Sequence, residues 1–217
     1  MKMIQNVSNS NCVKVKTNVR LQDHFYALAR RILRWQELAD AGNETGVSVG
    51  VTSTVAKSSA GTIALNVASA LAAVGQKDVL FVETVYQPAS LSRKVRRPSL
   101  GLSELLSNQK ISADCIRKTT HENLYLLPCG AIRGRSPLTL PVEGLDSLLP
   151  ELAGDFDFIV FDLPTATETT LCFPIVERLD GVVFVEPPTL DQAMFAHAVK
   201  RIRTLDCSVI GLVLNNT

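Results

Sequence analysis

The sequence lacks clustered cysteine, an excess of charge of one sign and any hydrophobic run of membrane-spanning length, and each absence removes a class of function. Five cysteines (Cys12, Cys115, Cys129, Cys172 and Cys207) are scattered, with no CxxC pair and no Cys/His cluster. That spacing excludes a zinc-type site. An odd cysteine count without a secretory leader implies reduced thiols in the cytoplasm. The three histidines, His24, His121 and His197, lie in unrelated segments, so no histidine-based catalytic constellation is indicated. A net charge of +1 excludes the whole-surface attraction that a nucleic-acid binder needs. Residues Met1 to Ser10 hold no apolar leader core. The longest apolar stretch, Ile63 to Val74, is too short to span a bilayer and is interrupted by Asn66 and Ser69. A soluble chain is expected, reaching a membrane only through a partner.

What is present is a chain of 217 residues, 46% hydrophobic and 20% charged, enough to bury a full core in one α/β domain. Its charge is uneven. Residues 1–35 hold seven Lys/Arg against the single acid Asp23, which leaves fifteen basic and twenty acidic residues elsewhere. Residues 1–20 are polar and aperiodic and predict a flexible arm ahead of a single domain over 21–217. Leu21, Phe25, Leu28, Ile32 and Trp35 recur at helical spacing, with Arg30, Arg31 and Arg34 off that stripe. This predicts an amphipathic helix over about 21–41. Apolar runs at Val47–Thr52, Val79–Glu83, Leu124–Leu127, Phe158–Asp162, Val182–Glu186 and Val209–Leu214 then alternate with helical segments over 61–74, 101–107, 143–153, 168–178 and 190–205. Strands apolar on both faces need cover on both sides. The expected fold is therefore three-layer α/β/α around a mostly parallel sheet.

The junction after the first strand is the most telling. Val47–Ser53 leads into Thr54-Val-Ala-Lys-Ser-Ser-Ala-Gly-Thr62 and then a small-residue helix. A phosphate-binding loop carries Gly-Lys-[Ser/Thr] in this context. Glycines let backbone N–H groups close on phosphate, and the lysine pairs its charge. Here Ala60 and Gly61 stand in the Lys-Thr positions.

The order of Val51-Thr-Ser53, Leu65-Asn-Val-Ala68, Gly101-Leu-Ser-Glu-Leu-Leu106, Asn123-Leu-Tyr-Leu-Leu-Pro-Cys-Gly130, Phe156-Asp-Phe-Ile-Val-Phe-Asp-Leu-Pro164, Asp180-Gly-Val-Val183 and Gly211-Leu-Val-Leu-Asn215 resembles the cytoplasmic domain of bacterial tyrosine kinases of exopolysaccharide biosynthesis (BY-kinases). These are P-loop NTPase-like proteins of the MinD/ParA type. The resemblance implies a nucleotide site at Lys57, Ser58, Ser59, Ala60, Gly61, Thr62 and Asn215, with ATP and magnesium as cofactors where such a site works. It places Ala56 to Gly61 on the family's P-G-E-G-K-T, so that only Thr62 matches. A register shifted by two puts Lys57 on the signature lysine, yet neither register supplies the phosphate lysine. Cradling a phosphate would also demand φ > 0 at Lys57 and Ser59, which resist it.

Val79-Leu-Phe-Val-Glu-Thr-Val-Tyr-Gln87 is similar to the family's second acidic motif. Glu83 stands for its first acid, Val85 for its second and Gln87 for an arginine. Asp162, closing an apolar strand, is preserved as the magnesium carboxylate. Glu83 and Asp162 are thus the catalytic candidates of an active enzyme and Asp162 the metal candidate. Their plainer readings are a strand end and a loop cap. On the first helix the family's E-x-x-R-x-x-R falls on Asp23, Tyr26 and Ala29, which keeps one charge of three and weakens ring assembly. Arg30, Arg31 and Arg34, like the run Arg93, Lys94, Arg96 and Arg97, read as solvated faces or as contacts for an acidic partner. The sequence ends two residues after Asn215, without the tyrosine-rich tail such kinases phosphorylate.

Phosphoryl transfer is positioning and electrostatics. Loss of the lysine and one acid should raise the barrier by on the order of 4 kcal/mol or more. The expectation is a degenerate domain with no catalytic residue and no cofactor. It would act as a regulator or scaffold beside a membrane polysaccharide chain-length regulator, cytoplasmic or peripheral to the inner membrane through that partner. A homo-oligomer is possible under the resemblance, and nucleic acid is not an expected partner. The alternatives are a kinase or ATPase using Lys57, Glu83 and Asp162 in shifted roles, and a MinD/ParA-like positioning or cellulose-synthesis accessory protein.

Overall fold

Alternation of apolar residues along strands that are buried on both sides decides the architecture. The computed structural model describes residues 7, 12–16, 22–39, 45–56, 58–84, 100–108, 113–130 and 142–216. In chain order they form α1 (Gln22–Ala39), β1 (Val47–Thr52), α2 (Ala60–Gly75), β2 (Val79–Glu83), α3 (Leu102–Asn108), β3 (Arg117–Lys118), β4 (Leu124–Leu127), α4 (Leu145–Asp155), β5 (Phe158–Asp162), α5 (Thr169–Val176), β6 (Gly181–Glu186), α6 (Gln192–Arg203) and β7 (Ser208–Leu214). The six strands expected from the sequence are present with bounds within a residue of expectation. The short β3 was not expected, because two residues leave no periodicity to read.

The strands make one sheet in the order β3-β4-β2-β5-β1-β6-β7. All pairings are parallel except β3 with β4. On β5, Phe158 and Val160 pack toward one face and Ile159 and Phe161 toward the other. The first face is covered by α1 and α2, with Ile32, Leu71 and Ala68 fully buried beneath them. The second face is covered by α3 to α6, through residues such as Leu105, Leu152, Val176 and Ile202. The result is the three-layer α/β/α arrangement. Tripling the hydrophobic layers this way buries strands on both faces, which is where most of the folding free energy lies.

The chain path places β5 between β1 and β2. The crossover from β1 through α2 to β2 therefore passes over β5 and brings the end of β5 beneath the start of α2. β1 is clasped to β6 at its entry end. Asp180 Oδ2 accepts from the Ser48 backbone N–H at 2.8 Å and from its hydroxyl at 2.6 Å, and the Asp180 N–H donates to Ser48 Oγ at 3.0 Å.

In place of a free arm, residues 12–16 lie along the sheet edge. The Val13 N–H donates to the Lys118 carbonyl at 2.9 Å, and the Thr120 N–H donates to the Val13 carbonyl at 3.0 Å. Val13 and Val15 bury against the α1/α2 layer, which explains the docking: two alternating valines are too short a pattern to predict but enough to hold an edge. The expected stripe of α1 is also seen, with Phe25, Leu28 and Trp35 packed on the core and Arg30, Arg31 and Arg34 exposed. Leu21, Lys57, Val85, Gln87 and the basic run at 93–97 lie outside the described residues. No described helix is long and apolar enough to cross a membrane.

Candidate functional site

Four strand ends converge around the loop that leaves β1. The loop opens with Ser53 and Thr54, both buried, and ends at Ser59, where α2 begins. Ser59 sits at φ 61 and ψ 17, in the left-handed region, and makes no side-chain cap to the helix. A residue with a Cβ pays roughly 1–2 kcal/mol for that conformation. A glycine-rich loop would supply it without strain.

Ala60, Gly61 and Thr62 form the first turn of α2. Gly61 faces the end of β5: a Cβ at this position would lie 2.6 Å from Asp162 Oδ2. A P-loop helix offers a hydroxyl to its acidic partner at such a close approach, and here there is only hydrogen. Among the described residues of the loop and first turn, Ser53 to Ala56 and Ser58 to Thr62, there is no cationic side chain.

Asp162 and Glu83 are neighbours, since Glu83 on β2 registers directly against Asp162 on β5. Both carboxylates are buried. Burial, and then the charge of Glu83 beside it, push the Asp162 carboxyl up to about 7. Thr84 ties the strand ends together by donating its hydroxyl to the Asp162 carbonyl. The structure thus brings Asp162, Glu83, Gly61 and the start of α2 together.

Asn215 joins the group from the far edge of the sheet. Its side-chain N–H lies 3.5 Å from the Ser58 carbonyl, and its backbone N–H donates to the Glu186 carbonyl at 2.8 Å. Thr62 is exposed on the outer side of the helix turn, and its carbonyl accepts from Asn66 Nδ2 at 2.7 Å.

The sequence reading missed Glu186. This carboxylate is fully buried at the end of β6. It accepts from the Thr54 backbone N–H at 2.5 Å and from the Thr54 hydroxyl at 2.8 Å. The second amide of the loop therefore points at a resident carboxylate of the protein. A signal was there to be read: Val182-Val-Phe-Val-Glu186 followed by Pro187 has the same form as Phe158-Ile-Val-Phe-Asp162 followed one residue later by Pro164.

Three of the buried thiols are held protonated. Burial pushes Cys172 and Cys207 up to about 12 and Cys115 up to about 11, so none supplies a thiolate near neutrality. Among the described residues no group of acids, histidines and cysteines is arranged to hold a metal.

No protein-family model matches the sequence. The chain is 24% identical over 181 residues to the succinoglycan biosynthesis transport protein ExoP of Rhizobium meliloti, a match covering 82% of this chain and 23% of that protein. It is 25% identical over 171 residues to the putative tyrosine-protein kinase CapB of Staphylococcus aureus, covering 77% of this chain and 74% of that one. The chain thus spans about a quarter of the first relative's length and three quarters of the second's. Among solved structures, the BceF tyrosine kinase domain superposes with a TM-score of 0.67 at 25% identity, over 90% of this chain and 77% of that one. The septum site-determining protein MinD of Pyrococcus horikoshii, solved with Mg-ADP, superposes with a TM-score of 0.65 at 22% identity, over 78% and 70%. The relatives and structural neighbours of this chain are BY-kinase cytoplasmic domains, with MinD-like P-loop folds beside them.

Proposed function

We propose that the chain is a catalytically degenerate BY-kinase-like domain that serves as a regulator or scaffold in exopolysaccharide biosynthesis or export. One observation supports the reading: α2 starts with Ala60 and Gly61, and Gly61 stands directly against Asp162 where a hydroxyl would be needed. The acidic surroundings support it. Asp162, Glu83 and Glu186 are buried around the loop, and carboxylates repel phosphate rather than neutralise it. The framework does not depend on any of these groups, because apolar burial holds it together. The likeness to ExoP, a succinoglycan biosynthesis transport protein, supports a place in polysaccharide export. The partner of this reading is a membrane chain-length regulator or related export protein. The domain itself works on the cytoplasmic side, attached through that partner, and self-association belongs to the same reading.

A second reading, an ATP-dependent tyrosine kinase or ATPase, is favoured by Asp162 itself, which stands at the end of β5 against the first turn of α2. In that reading ATP and magnesium are bound, with Glu83 and Asp162 catalytic and Lys57 supplying the cation. Titration calorimetry with ATP and magnesium separates the two. The degenerate reading expects no heat and no thermal shift. Micromolar binding that disappears in Asp162→Ala would overturn it. Co-purification with a membrane polysaccharide protein tests the scaffold role, and its absence would return the choice to a MinD-like positioning protein.

A further inference from the structure

A cavity of about 580 Å³ lies away from the loop, between α1, α2 and the turn joining β3 to β4. That volume falls within the range of about 300–1,000 Å³ typical of small-molecule sites. Its walls have a definite chemistry. Phe25 and Tyr26 on α1 and Ala70 and Ala73 on α2 supply an apolar surface. Gln22, Gln76 and Asn123 supply side-chain amides, each able both to donate and to accept. Among the described residues no lysine or arginine lines it, and Glu122 is the one formally charged wall residue.

The polar groups are held in place. Ser69 Oγ and His121 Nδ1 share a hydrogen bond of 2.6 Å across the cavity wall, joining α2 to the β3–β4 turn. That turn is itself fixed. The Thr119 hydroxyl binds the Leu124 carbonyl at 2.9 Å, and the His121 N–H donates to Thr119 Oγ1 at 3.1 Å. Two wall residues adopt left-handed backbone, Gln76 at φ 48 and Asn123 at φ 57. Glycine would relax both positions, yet both carry an amide on the wall.

We propose that this cavity binds an uncharged, hydroxyl-rich ligand, a neutral saccharide. An anionic ligand such as a nucleotide would find no cation among the described wall residues and would face Glu122. A cation would find one carboxylate and no desolvated cage. Sugar hydroxyls both donate and accept, as the amides and the Ser69–His121 pair do. The C–H face of a pyranose packs on aromatic and alanine surface, as Phe25, Tyr26 and Ala73 provide. This site shares no residue with the loop above Asp162, so the two can be probed separately.

The test uses the full chain, isotope-labelled, titrated with glucose, galactose, N-acetylglucosamine and cellobiose, and separately with inorganic phosphate and ATP. The expected result is saturable shifts of the Ser69, Gln76, His121 and Asn123 amides with at least one neutral sugar. Gln76→Ala should weaken that binding about tenfold. Ala73→Trp, at a solvent-facing position, should fill the space and abolish the shifts while the thermal melt stays cooperative. Asp162→Ala should leave the sugar titration unchanged. Silence with all four sugars, shifts that survive Ala73→Trp, or a preference for phosphate or ATP at these amides would overturn the proposal.

Discussion

At its first turn α2 sets Gly61 against the Asp162 carboxylate; further along, the same helix carries Ser69 and Ala73, with Gln76 at its C-terminal cap, along a polar cavity. The first region has the position of a phosphate site, and its described residues carry no cationic side chain. The second has organised donors and acceptors where the resemblance gives no reason to look. Both rest on one buried face, through Ile63, Leu71 and Ala68. A framework held by burial does not depend on the chemistry at any one point on it.

The sharpest way to break this contrast is to change the charge at the first region. A carboxyl whose native pKa lies above its unfolded value binds its proton more tightly in the native state. Stability is then greatest at low pH and falls as pH rises from about 4 to about 7, the window set by the ordinary carboxyl and by Asp162 at about 7. Asp162→Asn should remove that loss and gain on the order of 4 kcal/mol on the wild type between pH 4 and pH 8. Urea unfolding at the two pH values measures it, and a constant gap between the proteins would refute it.

Next in size is the shared framework. Leu71 is fully buried beneath both regions, and Leu71→Ala should cost about 3 kcal/mol in the same assay. Thr54→Val should cost about 2 kcal/mol, because it leaves a buried Glu186 oxygen without its hydroxyl donor. Glu186→Gln, combined with Thr54→Val, should recover part of that loss. The smallest effect is expected at Ser59. Ser59→Gly relieves the left-handed strain and should stabilise by about 0.5–1 kcal/mol, read as a higher melting temperature.

The framework was legible because its signal is periodic. Phe158-Ile-Val-Phe reads as a doubly buried strand whatever surrounds it. The first region was legible as a place: Asp162 and Glu83 close apolar strands, and their register brings them together. Its electrostatics were not. Glu186 also closes an apolar strand, but an acid there reads as a solvent-facing end, and only tertiary packing shows that it faces Thr54. The cavity was invisible for another reason. Gln22, Ser69 and His121 are far apart in the chain, and His121 finds its partner in a serine, so a search for paired titratable groups passes over it. Val13 and Val15 were missed because a two-residue alternation cannot be told from chance.

The Ser48–Asp180 clasp has a partner at the opposite end of the same strand pair, where Thr54 meets Glu186. β1 is therefore buttoned to β6 at both ends and cannot slide by one residue without breaking each fastening and turning Val49 and Val51 away from their face. Amides between the two fastenings, from Val49 to Thr52, should trade hydrogen for deuterium only when the whole domain opens. The middle of the sheet is in that sense its slowest clock.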